Sequence, residues 1–307
     1  MTATQQGTVT EGVMEWQGLR TWYRVVGDRA QNHGQEPVVI CHGGPGLTHD
    51  YLETIGELSR SGRTCVLYDQ FGNGRSGHRP EAPVQFWSVE LFLRELETLV
   101  EHLGLADAYH VVGHSWGGML ALELALRHPR GLRSIVVTDA FASAELYSTE
   151  IRRLLRELPV DLQATIERHE SRGTTDSPEY QAAVRVFYGR HVCRLKRVPE
   201  GVQRTLAALA ADSTVYETMI GPSEFHMTGA LRDWDITSRL GSIDVPVLLI
   251  SGRHDSVSPR TVQELQRGIP GAQWVLFEES SHMPHIEERT HFLDVVEKFL
   301  TQTELGR

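Results

Sequence analysis

Ser115, Asp255 and His282 are the residues whose types and order could do chemistry together. Ser115 stands inside Gly113-His114-Ser115-Trp116-Gly117-Gly118, after the apolar run Tyr109–Val112 and before a helical segment. A serine hydroxyl needs a base to take its proton and an acid to orient and stabilise that base. G-x-S-x-G is short and arises by chance, so its context decides. A strand before it and a helix after it let the glycines turn the backbone tightly and leave Oγ exposed. The helix N-terminus then aims backbone N–H groups at a developing anion. Base and acid are expected on loops after later strands, in the order serine, acid, histidine. Gly252-Arg253-His254-Asp255 follows one apolar run and Ser280-Ser281-His282 follows the next. Asp139, after Ser134–Thr138, is the alternative acid. His282 is preferred to His285, which lies beyond Pro284 towards the last helix. It is also preferred to His114, whose adjacency would direct it away from Ser115.

The third requirement is a pair of donors for the oxyanion. His42-Gly43-Gly44-Pro45-Gly46 follows the strand-like Pro37–Cys41, and its glycines leave room for a backbone N–H to approach the serine. The N–H of Trp116, the residue after the nucleophile, is the expected second donor. The glycine-rich loop lacks both the lysine of a phosphate-binding loop and the GxGxxG spacing, which argues against a nucleotide. Tyr68–Ser76 is a further glycine-bearing loop after a strand, expected to shape the floor of the site.

The elements that must position these loops are legible as a rhythm. Met14–Trp16 and Leu19–Val26, separated by Gln17-Gly18, form a hairpin. Strand-like runs at Pro37–Cys41, Thr64–Tyr68, Tyr109–Val112 and Ser134–Thr138 alternate with helical segments at Tyr51–Arg60, Val89–Leu103 and Gly117–His128. The alternation resumes with strands Val245–Ser251 and Gln273–Phe277, a helix near Thr261–Arg267, and a last helix over Arg289–Leu300. Such alternation predicts an α/β fold with a mostly parallel sheet covered on both faces. Between Phe141 and Trp234 the strands vanish and the sequence is helical and charged. The economical division is a core over 1–140, an inserted helical cap over 141–236 and the rest of the core over 237–307.

Bulk properties narrow the function. The 307 residues carry a formal charge of −10 and show no Lys/Arg stripe, which argues against nucleic acid or an anionic membrane as partner. Cys41, Cys65 and Cys193 have neither CxxC nor metal-ligand spacing, and buried reduced thiols are the expectation. The N-terminus has no basic start followed by an apolar stretch, and no apolar run approaches the roughly 20 residues of a membrane span. A cytoplasmic protein without metal or cofactor is expected; a homo-oligomer stays open.

With HGGPG, DQFGNGRS and GHSWGG together, the chain resembles the proline iminopeptidase family of α/β-hydrolases across most of its length. The resemblance implies a serine hydrolase with a helical cap, in which Gly44 and Trp116 supply the oxyanion donors. Family aminopeptidases place a cap glutamate against the substrate's free ammonium, and Glu224 in Gly221-Pro222-Ser223-Glu224-Phe225 matches that position. Some members carry a second acid directly after the triad acid; here that position is Ser256. The function expected is hydrolysis of a small amide or short peptide bearing a free amino group. An ester, lactone or specialised amide hydrolase indifferent to the amine is the alternative, and a non-catalytic ligand-binding protein of the same fold is a further one. Asp233 and Asp235 are candidates for the hinge between cap and core.

Overall fold

A strand whose side chains are apolar on both faces must be covered on both, and the central runs of this chain are of that kind. The computed structural model describes residues 8–28 and 34–306. The start of the polar N-terminal segment, residues 1–7, lies outside the described residues. One eight-stranded sheet organises the chain: β1 (Val9–Trp16), β2 (Leu19–Val26), β3 (Val38–Cys41), β4 (Cys65–Tyr68), β5 (Tyr109–His114), β6 (Leu132–Thr138), β7 (Val247–Gly252) and β8 (Gln273–Phe277). Their spatial order is β1-β2-β4-β3-β5-β6-β7-β8. The β1–β2 and β2–β4 pairs are antiparallel; every pair from β4 to β8 is parallel.

Alternation along these strands feeds two separate apolar layers. Val39, Val66, Val111, Ile135 and Leu249 face the layer built with α1 (Val89–His102), α2 (Trp116–Ala125) and α8 (Pro259–Gly268). Ile40, Leu67, Val112, Val136 and Leu248 face the other, which α10 (Arg289–Leu305) completes through Phe292, Val296 and Phe299. Local sequence starts the helices where they are needed. Ser88 caps α1 by accepting the Leu91 N–H, and Phe92, Leu96 and Leu99 follow at helical spacing on the buried face.

Five helices are inserted between β6 and β7: α3 (Ala144–Leu155), α4 (Val160–Arg172), α5 (Pro178–His191), α6 (Glu200–Ala211) and α7 (Thr214–Met219). The two ends of this insertion are zipped together. Ala144 N–H donates to Trp234 O (2.9 Å) and Ile236 N–H to Ala142 O (2.9 Å), with a bridge between Ser143 and Asp235. Asp235 therefore sits at the junction, its carboxylate accepting the Thr237 N–H and hydroxyl, whereas Asp233 is exposed and paired with Arg232. A short helix, α9 (Pro284–Glu287), precedes α10.

One expectation fails. Tyr51–Arg60 is not one α-helix but two 3₁₀ pieces, His49–Leu52 and Ile55–Ser61. Thr54, Ile55 and Gly56 are poor helix formers placed at the break. The tighter pieces turn Tyr51, Leu52, Ile55 and Leu58 onto the sheet. No helix among the described residues is long and apolar enough to cross a membrane.

Candidate active site

Strands that run parallel deliver their following loops to one edge, and the chemistry-bearing residues gather there. His42–Gly46 follows β3, Ser115 follows β5, Asp139 follows β6, Asp255 follows β7 and His282 follows β8. Ser115 holds a positive φ (φ 54°, ψ −120°) between the strand and α2. Non-glycine residues reach this region at a cost of about 1–3 kcal/mol, tolerated where the surroundings over-determine it. Here the Ser115 N–H is tied to Thr138 O at 2.8 Å. A Cβ on Gly113 would lie 2.1 Å from Gly117 O, and one on Gly117 would lie 2.1 Å from Cys41 O. Both glycines of the elbow are thus required by close backbone approach.

Behind Ser115, His282 and Asp255 form a buried pair, with Nδ1 of His282 donating to Oδ1 of Asp255 at 2.6 Å. The same carboxylate oxygen accepts the Val257 N–H (2.9 Å) and the Ser256 hydroxyl (3.3 Å). Burial alone would lower the basicity of His282. The charge and hydrogen bond of Asp255, helped by Glu224, outweigh it and raise the pKa above the ordinary 6.5. His282 Nε2 has no hydrogen-bond partner among the described residues, and His282 lines the same cavity as Ser115.

That cavity measures about 20 Å³, room for roughly one water. Gly44, Trp116, Glu224, Met119, Phe141 and Tyr147 are among the residues that line it. The backbone N–H groups of Gly44 and Trp116 donate to no acceptor among the described residues. Gln70 sets their approach. Its Oε1 accepts the Trp116 indole N–H (2.8 Å), its Nε2 donates to His42 O (2.9 Å), and its N–H donates to His42 Nε2 (2.9 Å). Burial pushes the His42 imidazole down to about 4, so it stays a neutral acceptor. The Tyr68–Ser76 loop therefore bolts the glycine loop to the helix that follows the elbow.

Glu224 comes from the cap, on a loop held by the Tyr180 hydroxyl on Ser223 Oγ (3.1 Å) and by Gly221 at φ 124°, where a Cβ would strike Thr228 Oγ1 at 2.6 Å. Burial raises the Glu224 carboxyl, Asp255 adds to that, and His282 opposes it. Ser256 does not reach the cavity wall; its hydroxyl turns back to Asp255 and its N–H to His191 O.

The other histidines are occupied elsewhere. His285 donates from Nε2 to Tyr51 O (3.2 Å), and burial drives it down to about 3. His114 links Tyr51 to the His282 carbonyl. Gln70 lies in the Tyr68–Ser76 loop expected to shape the floor; sequence reasoning missed Tyr51 as part of the site, and Phe141 and Tyr147, whose rings stack at 4.4 Å. Three clusters among the described residues have metal-ligand composition: Glu36/His110/Glu304, His49/Asp50/Glu53 and Asp139/Asp255/His282. Arginine guanidinium groups already fill the first two, Arg63 in one and Arg204 with Arg24 in the other.

Residues 36–289 match the model of a family described as alpha/beta hydrolase fold. A proline iminopeptidase of Saccharolobus solfataricus is 38% identical over 96% of this chain and 93% of its own. Among solved structures, VinJ superposes with a TM-score of 0.93 at 44% identity, covering 96% of this chain and 99% of its own. A proline iminopeptidase of Mycobacterium smegmatis superposes with a TM-score of 0.91 at 39% identity, covering 97% and 99%.

Proposed function

This chain belongs to the proline iminopeptidase-like α/β-hydrolases, and from that premise we propose that it is a serine hydrolase cleaving the amide bond next to a free amino group in small substrates. The observation that carries the reading is the presence of Glu224, Ser115, His282, Gly44 and Trp116 on one cavity. A carboxylate in such a partly dry space recognises an ammonium strongly, and it stands within the space where the serine would attack.

Ser115 Oγ attacks the substrate carbonyl while His282 Nε2 takes its proton and Asp255 holds the Nδ1–H side of the ring. The Gly44 and Trp116 N–H groups receive the developing oxyanion. His282 then gives its proton to the departing amine and activates the water that releases the acyl group from Ser115.

The test is a hydrolysis panel with wild type and Ser115→Ala. Aminoacyl p-nitroanilides and amides are compared with their N-acetylated forms and with simple p-nitrophenyl esters. Cleavage of free-amine substrates alone, abolished by the substitution, supports the reading. Indifference to the amine sinks it and favours an ester or lactone hydrolase.

A further inference from the structure

The carboxyl groups behind His282 have more acceptor capacity than the protein supplies donors. Asp139 closes β6, is fully buried and sits at φ 54°. Its Oδ1 accepts the Gly252 N–H at 3.0 Å. Asp255 Oδ1 is saturated by His282, Val257 and Ser256. The two Oδ2 atoms are both buried and neither has a hydrogen-bond partner. One carboxyl oxygen of each aspartate and a ring nitrogen of His282 lie within 4.8 Å of one another.

The neighbouring imidazole of His114 does not resolve this. His114 Nε2 is 3.9 Å from Asp139 Oδ2, beyond hydrogen-bond range, and it donates its proton to the His282 carbonyl at 2.6 Å. Its Nδ1 accepts the Tyr51 hydroxyl (2.8 Å), whose oxygen accepts the Gly43 N–H (2.8 Å). Burial, with His282 and His285 alongside, keeps His114 neutral, so it has only the one N–H to give. The remaining titratable group acting on Asp139 is Glu287 of α9, an acid. Two ionised carboxylates here would face each other with no cation between them.

We propose that a single proton is held between Asp139 and Asp255, resident on Asp139, whose O–H donates to Asp255 Oδ2. Asp139 is then a positioning residue. It satisfies both orphaned oxygens, fixes the plane of the Asp255 carboxylate, and keeps the pair at one negative charge. Burial first, and the Asp255 charge second, hold the Asp139 carboxyl well above the usual carboxylate range, which agrees with that placement. The consequence for catalysis rests on the hydrolase reading above; the proton itself does not. When His282 accepts the Ser115 proton, the Asp139–Asp255–His282 group passes from one negative charge to none, and the Asp139 proton stays where it is. A second negative charge would raise His282 further and leave it protonated, without the Nε2 lone pair that attack requires.

Asp139→Asn is the decisive variant, since its amide carbonyl can take the Gly252 N–H while its NH₂ donates to Asp255, with no change of charge. The pH profile of kcat/KM in Asp139→Asn is expected to keep its acid-side midpoint where wild type has it. Asp139→Ala is expected to lose about tenfold to a hundredfold in kcat with KM little changed, the value of one hydrogen bond to a charged acceptor. A midpoint in Asp139→Asn displaced downward by a pH unit or more overturns the proposal, because it means an ionised Asp139 was removed. Infrared difference spectra of wild type against Asp139→Asn at neutral pH decide the same point without any substrate. The carbonyl stretch of a protonated carboxylic acid must be present in wild type and lost in the variant; its absence from the difference overturns the proposal even if hydrolysis is never found. The subtraction also cancels Glu95, a second buried carboxyl that burial raises to about 8.

Discussion

The two ends of the parallel sheet bury nearly the same ingredients and use them in opposite ways. At the end where the strands begin, His110 and Arg63 lie among Glu36, Glu297 and Glu304. There the guanidinium of Arg63, wholly buried, spends its fork on Glu304, Glu297 and the Glu36 carbonyl. His110 accepts the Ser134 hydroxyl at Nδ1 (2.7 Å) and donates from Nε2 to Glu304 (3.3 Å). At the end where the strands finish, His282 lies with Asp255 and Asp139, and groups are left over. Both Oδ2 atoms, His282 Nε2 and the Gly44 and Trp116 N–H groups lack partners among the described residues. Ser115 and Asp139, two of the four non-glycine residues with positive φ among the described residues, are also found here. A histidine among carboxylates does not make a site; a histidine and two unspent backbone N–H groups lining one cavity with a strained serine do.

The comparison is broken most severely at Ser115. Ser115→Ala is expected to lower kcat by about 10⁵-fold or more, as for nucleophiles of comparable triads. Ser115→Gly should be equally inactive yet more stable by about 1 kcal/mol, because glycine holds a positive φ without strain. Denaturant midpoints of the two variants measure this, and a less stable glycine variant would show that the elbow stores no strain. The converse substitution is Arg63→Met at the opposite end. Removing one partner of a buried charge network costs about 3–5 kcal/mol of stability. Urea unfolding should register that loss while kcat/KM of the folded protein is unchanged; a fall in kcat/KM would mean the two ends are coupled. A smaller effect is expected at Glu224. Glu224→Gln should reduce kcat/KM on free-amine substrates by about tenfold to a hundredfold, the range for a hydrogen bond to a charged partner. N-acetylated analogues should be nearly indifferent, and equal losses on both would remove Glu224 from amine recognition.

Much of this was legible in the chain because it is written locally. Apolar runs such as Pro37–Cys41 and Val245–Ser251 declare buried parallel strands, and the glycines of GHSWGG declare a turn with no room for Cβ atoms. Parallel strands then carry Ser115, Asp255 and His282 to one edge without any long-range information. What was not legible depends on contacts between distant segments. Tyr51 sits in an ordinary amphipathic stretch, and only the fold brings its hydroxyl to Gly43 and His114. Asp139 could be seen as an alternative acid, but its tie to Gly252 and its pairing with Asp255 are properties of three adjacent strands. Ser256 was noted as a missing second carboxylate; that its hydroxyl turns back onto Asp255 has no sequence signal. Glu224 has no periodic or motif signal of its own and was placed only through the family resemblance.

The smallest effect to seek is a separation in pH between the two ends. At the active end the base must be neutral, and Asp255 raises His282 above 6.5 against the pull of burial, so kcat/KM should fall as pH drops through a midpoint above that value. On the proposed reading, protonation of Glu224, whose carboxyl burial also raises, removes ammonium binding in the same direction. At the opposite end burial opposes, but the hydrogen bonds from His110 and Arg63 prevail and bring Glu304 down to about 2, from an ordinary 4.5. A carboxyl whose folded pKa is depressed contributes stability that is complete above the unfolded value and is lost only as pH falls towards the folded one. The Glu304 contribution therefore persists down to about 4.5 and fades between there and about 2. Above about 4.5 the Glu304 contribution is still complete while kcat/KM is already falling, and activity should recover when the sample is returned to pH 8. Near-ultraviolet circular dichroism recorded beside kcat/KM measures both ends at once. If the two signals fall together on acidification, the sheet's ends are not separate devices, and the charge network around Arg63 shares its protonation equilibrium with the site.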